Sequence, residues 1–124
     1  MNEKLFQIIF DKLQEVVPVK WNKIVFYAGY TKGSYSMKYY VDMGNGKYID
    51  CFSLDGISNM QLMKLFVSID KEIAAVRTKL EELEKWNVLT MIIDSNGTFK
   101  TDFDYNDISD NSISYEKDWK KRYL

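Results

Sequence analysis

Histidine is absent from all 124 residues, and that absence excludes more chemistry than any motif in the chain supplies. Without an imidazole, neither a Ser-His-Asp nor a Cys-His nucleophilic site can be assembled, and zinc loses its commonest ligand. A single cysteine, Cys51, cannot close an intrachain disulfide, and it has no histidine to act as its base. No stretch approaches the roughly 20 apolar residues of a membrane span. The N-terminus MNEKLFQIIF lacks the long apolar run of a signal peptide, so a reducing cytoplasm is the expected location. Net charge is nearly missing as well. With 17 basic and 18 acidic side chains the balance is −1, which gives no global field to draw in DNA or RNA, and direct nucleic-acid binding is not expected.

What remains is a globular composition, 46% hydrophobic and 28% charged, of one domain's length over residues 1–124. The pattern predicts an α+β fold. A single domain carries an antiparallel sheet of about five strands, built from two hairpins, with an N-terminal helix, a long central helix and a short C-terminal helix. The clearest stretch is Trp86 to Tyr105, which reads as a hairpin at the centre of the fold. Val88, Leu89, Met91, Ile92 and Ile93 are apolar on both faces, whereas Phe99, Thr101, Phe103 and Tyr105 alternate with Lys100, Asp102 and Asp104. Asn96-Gly97 between the two runs suits a two-residue turn. Trp21–Tyr30 and Ser34–Met43 form the other hairpin, and Gly44-Asn45-Gly46 turns the chain into a shorter strand, Lys47–Phe52.

Three helices complete the reading. Asn2–Val17 has Asn2 as its cap, a broad face of Leu5, Phe6, Ile9, Phe10, Leu13, Val16 and Val17, and Pro18 as its stop. Ser58 and Gln61 form a capping box ahead of a helix from about Asn59 to Lys85. Its seam of Phe66, Ile69, Ile73, Val76, Leu80 and Leu83 fits packing on the chain's own sheet, or pairing with a second copy in a homodimer. Tyr115–Leu124 closes the chain with Tyr115, Trp119 and Tyr123 stacked at four-residue spacing.

Between Asp94 and Glu116, six carboxylates stand against Lys100 alone. A calcium loop counted from Asp102 would need glycine at its sixth position and glutamate at its twelfth, where the chain has Asp107 and Ile113. No metal or other cofactor is therefore expected. Asp102 and Asp104 lie two apart on one strand face, at a spacing that glycosidase carboxylates use, but nothing else marks a cleft, so no catalytic residue is assigned. The acidic run suits a surface that meets a basic protein. Candidate contact residues are Asp94, Asp102, Asp104, Asp107 and Asp110, with Tyr105 and Tyr40 as aromatic anchors.

Several motifs go further. VVPVKWNKIVFYAGY, the GSYSMKYYV strand, the long helix, SNGTFKTDFDYND and a closing W-x-x-R-Y-L at Trp119, Arg122, Tyr123 and Leu124 run almost end to end. In these the chain resembles the YezG/EsaG family of antitoxins, departing from it at Thr98, where the family commonly has lysine. The family neutralises nuclease toxins that Gram-positive bacteria export through the type VII secretion route. The resemblance implies a non-catalytic immunity protein that binds the toxin's C-terminal nuclease domain in the producing cell. The alternative is a non-catalytic scaffold that dimerises through its long central helix.

Overall fold

Seven consecutive buried residues, Ile24 to Tyr30, place β1 (Lys23–Thr31) in the middle of the molecule. The computed structural model, which describes residues 3–17 and 20–124, arranges five strands in the order β3-β2-β1-β4-β5. β2 (Ser34–Asp42) and β4 (Val88–Asp94) flank β1, and β3 (Tyr48–Asp50) and β5 (Phe99–Asp104) form the edges; every neighbouring pair is antiparallel. The α+β architecture is as expected, with one change of emphasis. The β4–β5 hairpin lies at one side of the sheet, because β1 pairs with both β2 and β4 and takes the centre.

One face of the sheet carries Ile24, Phe26, Ala28, Tyr39, Val41, Leu89, Met91 and Ile93, and the helices α1 (Glu3–Val16) and α2 (Asn59–Arg77) cover it. From α1 come Leu5, Phe6, Ile9, Phe10 and Leu13, all buried, so the broad apolar face is spent on this core. Asn2 and Pro18, the expected cap and stop of this helix, lie outside the described residues. Phe6 reaches both Phe99 and Phe103, with ring centroids 6.4 and 6.0 Å away. The second face is smaller. Val25, Tyr27, Tyr40 and Val88 pack there against Trp119 of α3 (Ser112–Tyr123) and against Ile108. Gly29 leaves room for this packing, since a Cβ at that position would sit 2.5 Å from the Tyr27 hydroxyl.

Local chemistry explains most boundaries. Ser58 and Gln61 make both bonds of the capping box, at 3.1 and 2.8 Å. The β4–β5 turn differs from the expected two-residue form. Gly97 N donates to Asp94 O and Asp94 N to Thr98 O, so three residues, Ser95 to Gly97, lie within the bonded Asp94–Thr98 pair, and Gly97 alone of them carries a positive φ, +90°. Asn96 instead accepts from the Thr98 amide and hydroxyl at 3.0 and 2.7 Å. β3 ends at Asp50 rather than Phe52, where the Asp50 carboxylate takes the Phe52 amide and starts a short 3₁₀ turn, Cys51–Ser53.

The central helix also stops early, at Arg77 instead of Lys85. Arg77 Nε donates to Trp86 O at 2.7 Å and its Nη2 to Asn87 Oδ1 at 2.9 Å, which folds the chain back toward β4. Phe66, Ile69 and Ile73 of the expected seam are buried in the chain's own core, and Leu83 stands 96% exposed in a 3₁₀ turn. The seam is therefore not a free surface for a second copy.

Candidate partner interface

The acidic run splits in three once folded. Asp94 stands at the turn end of β4, with Lys23 Nζ at 3.7 Å. It lies opposite Thr98, so Asp104 is six residues further along β5, about 20 Å away at the usual strand rise. Asp102 and Asp104 project to the face that α3 crosses. Tyr123 donates its hydroxyl to Asp102 Oδ2 at 2.9 Å, and Tyr115 donates to Asp104 Oδ2 at 2.7 Å. Burial first, and then these carboxylates, push both phenols above their ordinary pKa. Arg122 shares the hollow beside them. The two aspartates thus have tyrosine donors and a cation for neighbours, and Asp102 remains exposed.

Asp107, Asp110 and Tyr105 form the third part, in the connection from β5 to α3. Tyr105 is 56% exposed, and both aspartates are exposed. Asp107 Oδ1 accepts from the Ser109 amide at 2.9 Å, and the Ser109 hydroxyl and amide hold its carboxyl below the ordinary range. Tyr40 is a correction. Only 5% exposed, its ring lies 5.7 Å from Trp119 inside the second core, so it cannot anchor a partner.

Sequence reading missed the side chains that hold this connection. Asn87 Nδ2 donates to Tyr105 O and Asn106 O at 3.1 and 2.9 Å, while its Oδ1 receives Arg77. Arg77 lies 4.8 Å from the centroid of the Tyr30 ring, and the Tyr30 hydroxyl donates to Asp70 at 2.9 Å. A cleft of about 340 Å³ opens between these groups, lined by Lys32, Arg77, Lys85, Asn87, Tyr105 and Asp107 among others. Arg77 and Asn87 are ten residues apart on a helix end and a strand start. No local pattern pairs them, and in the sequence Arg77 reads as one more residue of a helix running to about Lys85.

The arrangement offers an exposed ring and carboxylates on a loop held by Asn87 and Arg77. Cys51, the one thiol, is buried and pushed up to about 11 by its surroundings. The model of the family described as "Immunity protein YezG-like" matches residues 2–124. The chain belongs to that family. It is 28% identical over 116 residues to Immunity protein YezG of Bacillus subtilis (strain 168), a match covering 86% of this chain and 74% of the relative. With Immunity protein YezG of Bacillus spizizenii it shares 23% over 110 residues, covering 84% and 68%. Members of this YezG-like family are immunity proteins, and binding a toxin is the role that the family implies. Among the described residues, no helix is long and apolar enough to cross a membrane.

Proposed function

We propose that this YezG-like protein is the antitoxin of a nuclease exported by the type VII route, and that it blocks the nuclease domain in the producing cell's cytoplasm by one-to-one binding. Family membership over residues 2–124 is the observation that carries this reading. The contact surface is the end of the sheet where Asp102, Asp104, Asp107 and Asp110 flank the exposed Tyr105. Carboxylates there stand in for substrate phosphates opposite a basic nuclease groove, and they speed encounter through long-range attraction. Tyr105 supplies the apolar contact area that charge lacks. Asp94, beside Lys23 at the turn end of β4, lies about 13 Å from Asp102 and about 20 Å from Asp104 along the strand.

The test is co-purification with the nuclease domain encoded beside this protein, followed by DNA cleavage with increasing amounts of the protein. Cleavage is expected to cease at about one equivalent, because nanomolar affinity saturates at micromolar concentration. Cleavage that continues at several equivalents, with no complex on co-purification, removes the reading for that pair.

A further inference from the structure

Met60, Met63 and Val67 are 67, 65 and 46% exposed, yet they stand in a row on α2 at three- and four-residue spacing. This stripe faces away from Phe66, Ile69 and Ile73, which the core takes. With Lys64, Ser68 and Lys71 it lines an open hollow of about 720 Å³. Lys64 and Ser68 also line a second groove, of about 280 Å³, where Lys12, Glu15 and Val16 of α1 meet α2. The two hollows form one continuous surface across both helices.

Charge decides what can cover it. Lys64 and Lys71 rim the apolar stripe, Lys12 lines the adjoining groove, and Glu15 is the one carboxylate in the two linings. Lys12 Nζ donates to Ser68 Oγ at 2.7 Å, and among the described residues no carboxylate pairs with Lys64 or Lys71. A second copy would bring this cationic rim against itself, since an isologous contact places the same patch on both sides. Methionine side chains adapt to a varied apolar surface, and the lysine stems extend that surface while their ammonium groups stay at its edge. We propose that the α1–α2 groove docks an amphipathic helix of the toxin polypeptide, its apolar seam flanked by carboxylates. The proposal rests on the immunity reading above and adds a contact on the opposite side of the sheet from α3.

The test uses the full-length protein labelled at its methionine methyl groups. It is titrated with a designed amphipathic helix about three heptads long, its leucine seam flanked by glutamates, and with the same helix flanked by lysines. Met60 and Met63 should shift while the buried Met37 and Met91 stay in place. The glutamate helix should bind roughly tenfold tighter or better. Val67→Lys, at an exposed position, should abolish the shift without moving the thermal midpoint. Equal affinity for both helices, silent Met60 and Met63 methyls, or shifts that follow the protein's own concentration would overturn the proposal. A toxin arm separates this inference from the function it rests on. If the wild type inhibits the nuclease domain and Val67→Lys holds it equally tightly, the groove contact falls and immunity stands. If the wild type inhibits no nuclease, immunity falls, and the helix titration still judges the groove.

Discussion

Asp42 holds the β2–β3 turn together through three bonds. Its carboxylate accepts from the Gly44 and Gly46 amides at 2.8 and 3.0 Å and from Asn22 Nδ2 at 3.3 Å. The Gly44 amide above all, helped by Asn22 and Gly46, lowers its pKa from the ordinary 3.8. A carboxyl lowered by folding contributes stability that is fully present above its unfolded pKa, about 3.9 for aspartate, and is lost as pH falls through the lower folded value. Asp42→Asn should therefore destabilise the protein at neutral pH and flatten the acid limb of its stability profile below about pH 4. Denaturant titrations from acid to neutral pH measure both effects. A variant whose loss of stability is the same at every pH would show that the ionised carboxylate is not what holds the turn.

At the scale of elements, α3 is the piece whose attachment matters most to the acidic end. Trp119 is buried, its ring centroid 4.9 Å from that of Tyr27, and its Nε1 donates to the buried Thr90 Oγ1 at 2.9 Å. Trp119→Phe keeps most of the ring and leaves that hydroxyl without its donor, at a cost of about 1–3 kcal/mol. Trp119→Ala should cost about 3–5 kcal/mol. Chemical denaturation reports both, and equal losses would mean that the indole hydrogen bond counts for more than the ring. The four-residue stripe of Tyr115, Trp119 and Tyr123 was legible in the sequence because helical spacing writes it locally. Its docking place was not, since Asp102, Asp104 and Thr90 receive these side chains across long stretches of chain. The same limit misplaced the end of α2, where Leu80 and Leu83 continue the local period but Arg77 turns to Trp86 and Asn87. Both capping-box partners lie within one helical turn, and that boundary was read correctly.

Taken over the whole molecule, charge is redistributed rather than concentrated. Residues 94–116 hold six carboxylates, but folding sets Lys23 beside Asp94 and Arg122 in the same hollow as Asp102, while Asp107 and Asp110 stand exposed in the connection from β5 to α3. The proposed nuclease contact then makes a specific kinetic forecast. Asp107→Lys with Asp110→Lys should slow association roughly tenfold at low ionic strength, with a far smaller effect on dissociation. The deficit should fade as salt shortens the screening length to about 3 Å near 1 M. Association rates that are indifferent to both the substitutions and the salt would place the nuclease elsewhere on the surface.

Asn87 bears on the heat and disorder of that same encounter. By gripping Tyr105 O, Asn106 O and Arg77 at once, it fixes the connection from β5 to α3 before a partner arrives. Little conformational entropy is then left to lose when the complex forms. Asn87→Ala leaves the exposed Tyr105 ring and every carboxylate in place but slackens their support. Calorimetry of the complex should show the weakened affinity as a larger entropic penalty, with the heat of binding largely kept. A loss confined to enthalpy would mean that the loop was never held ready.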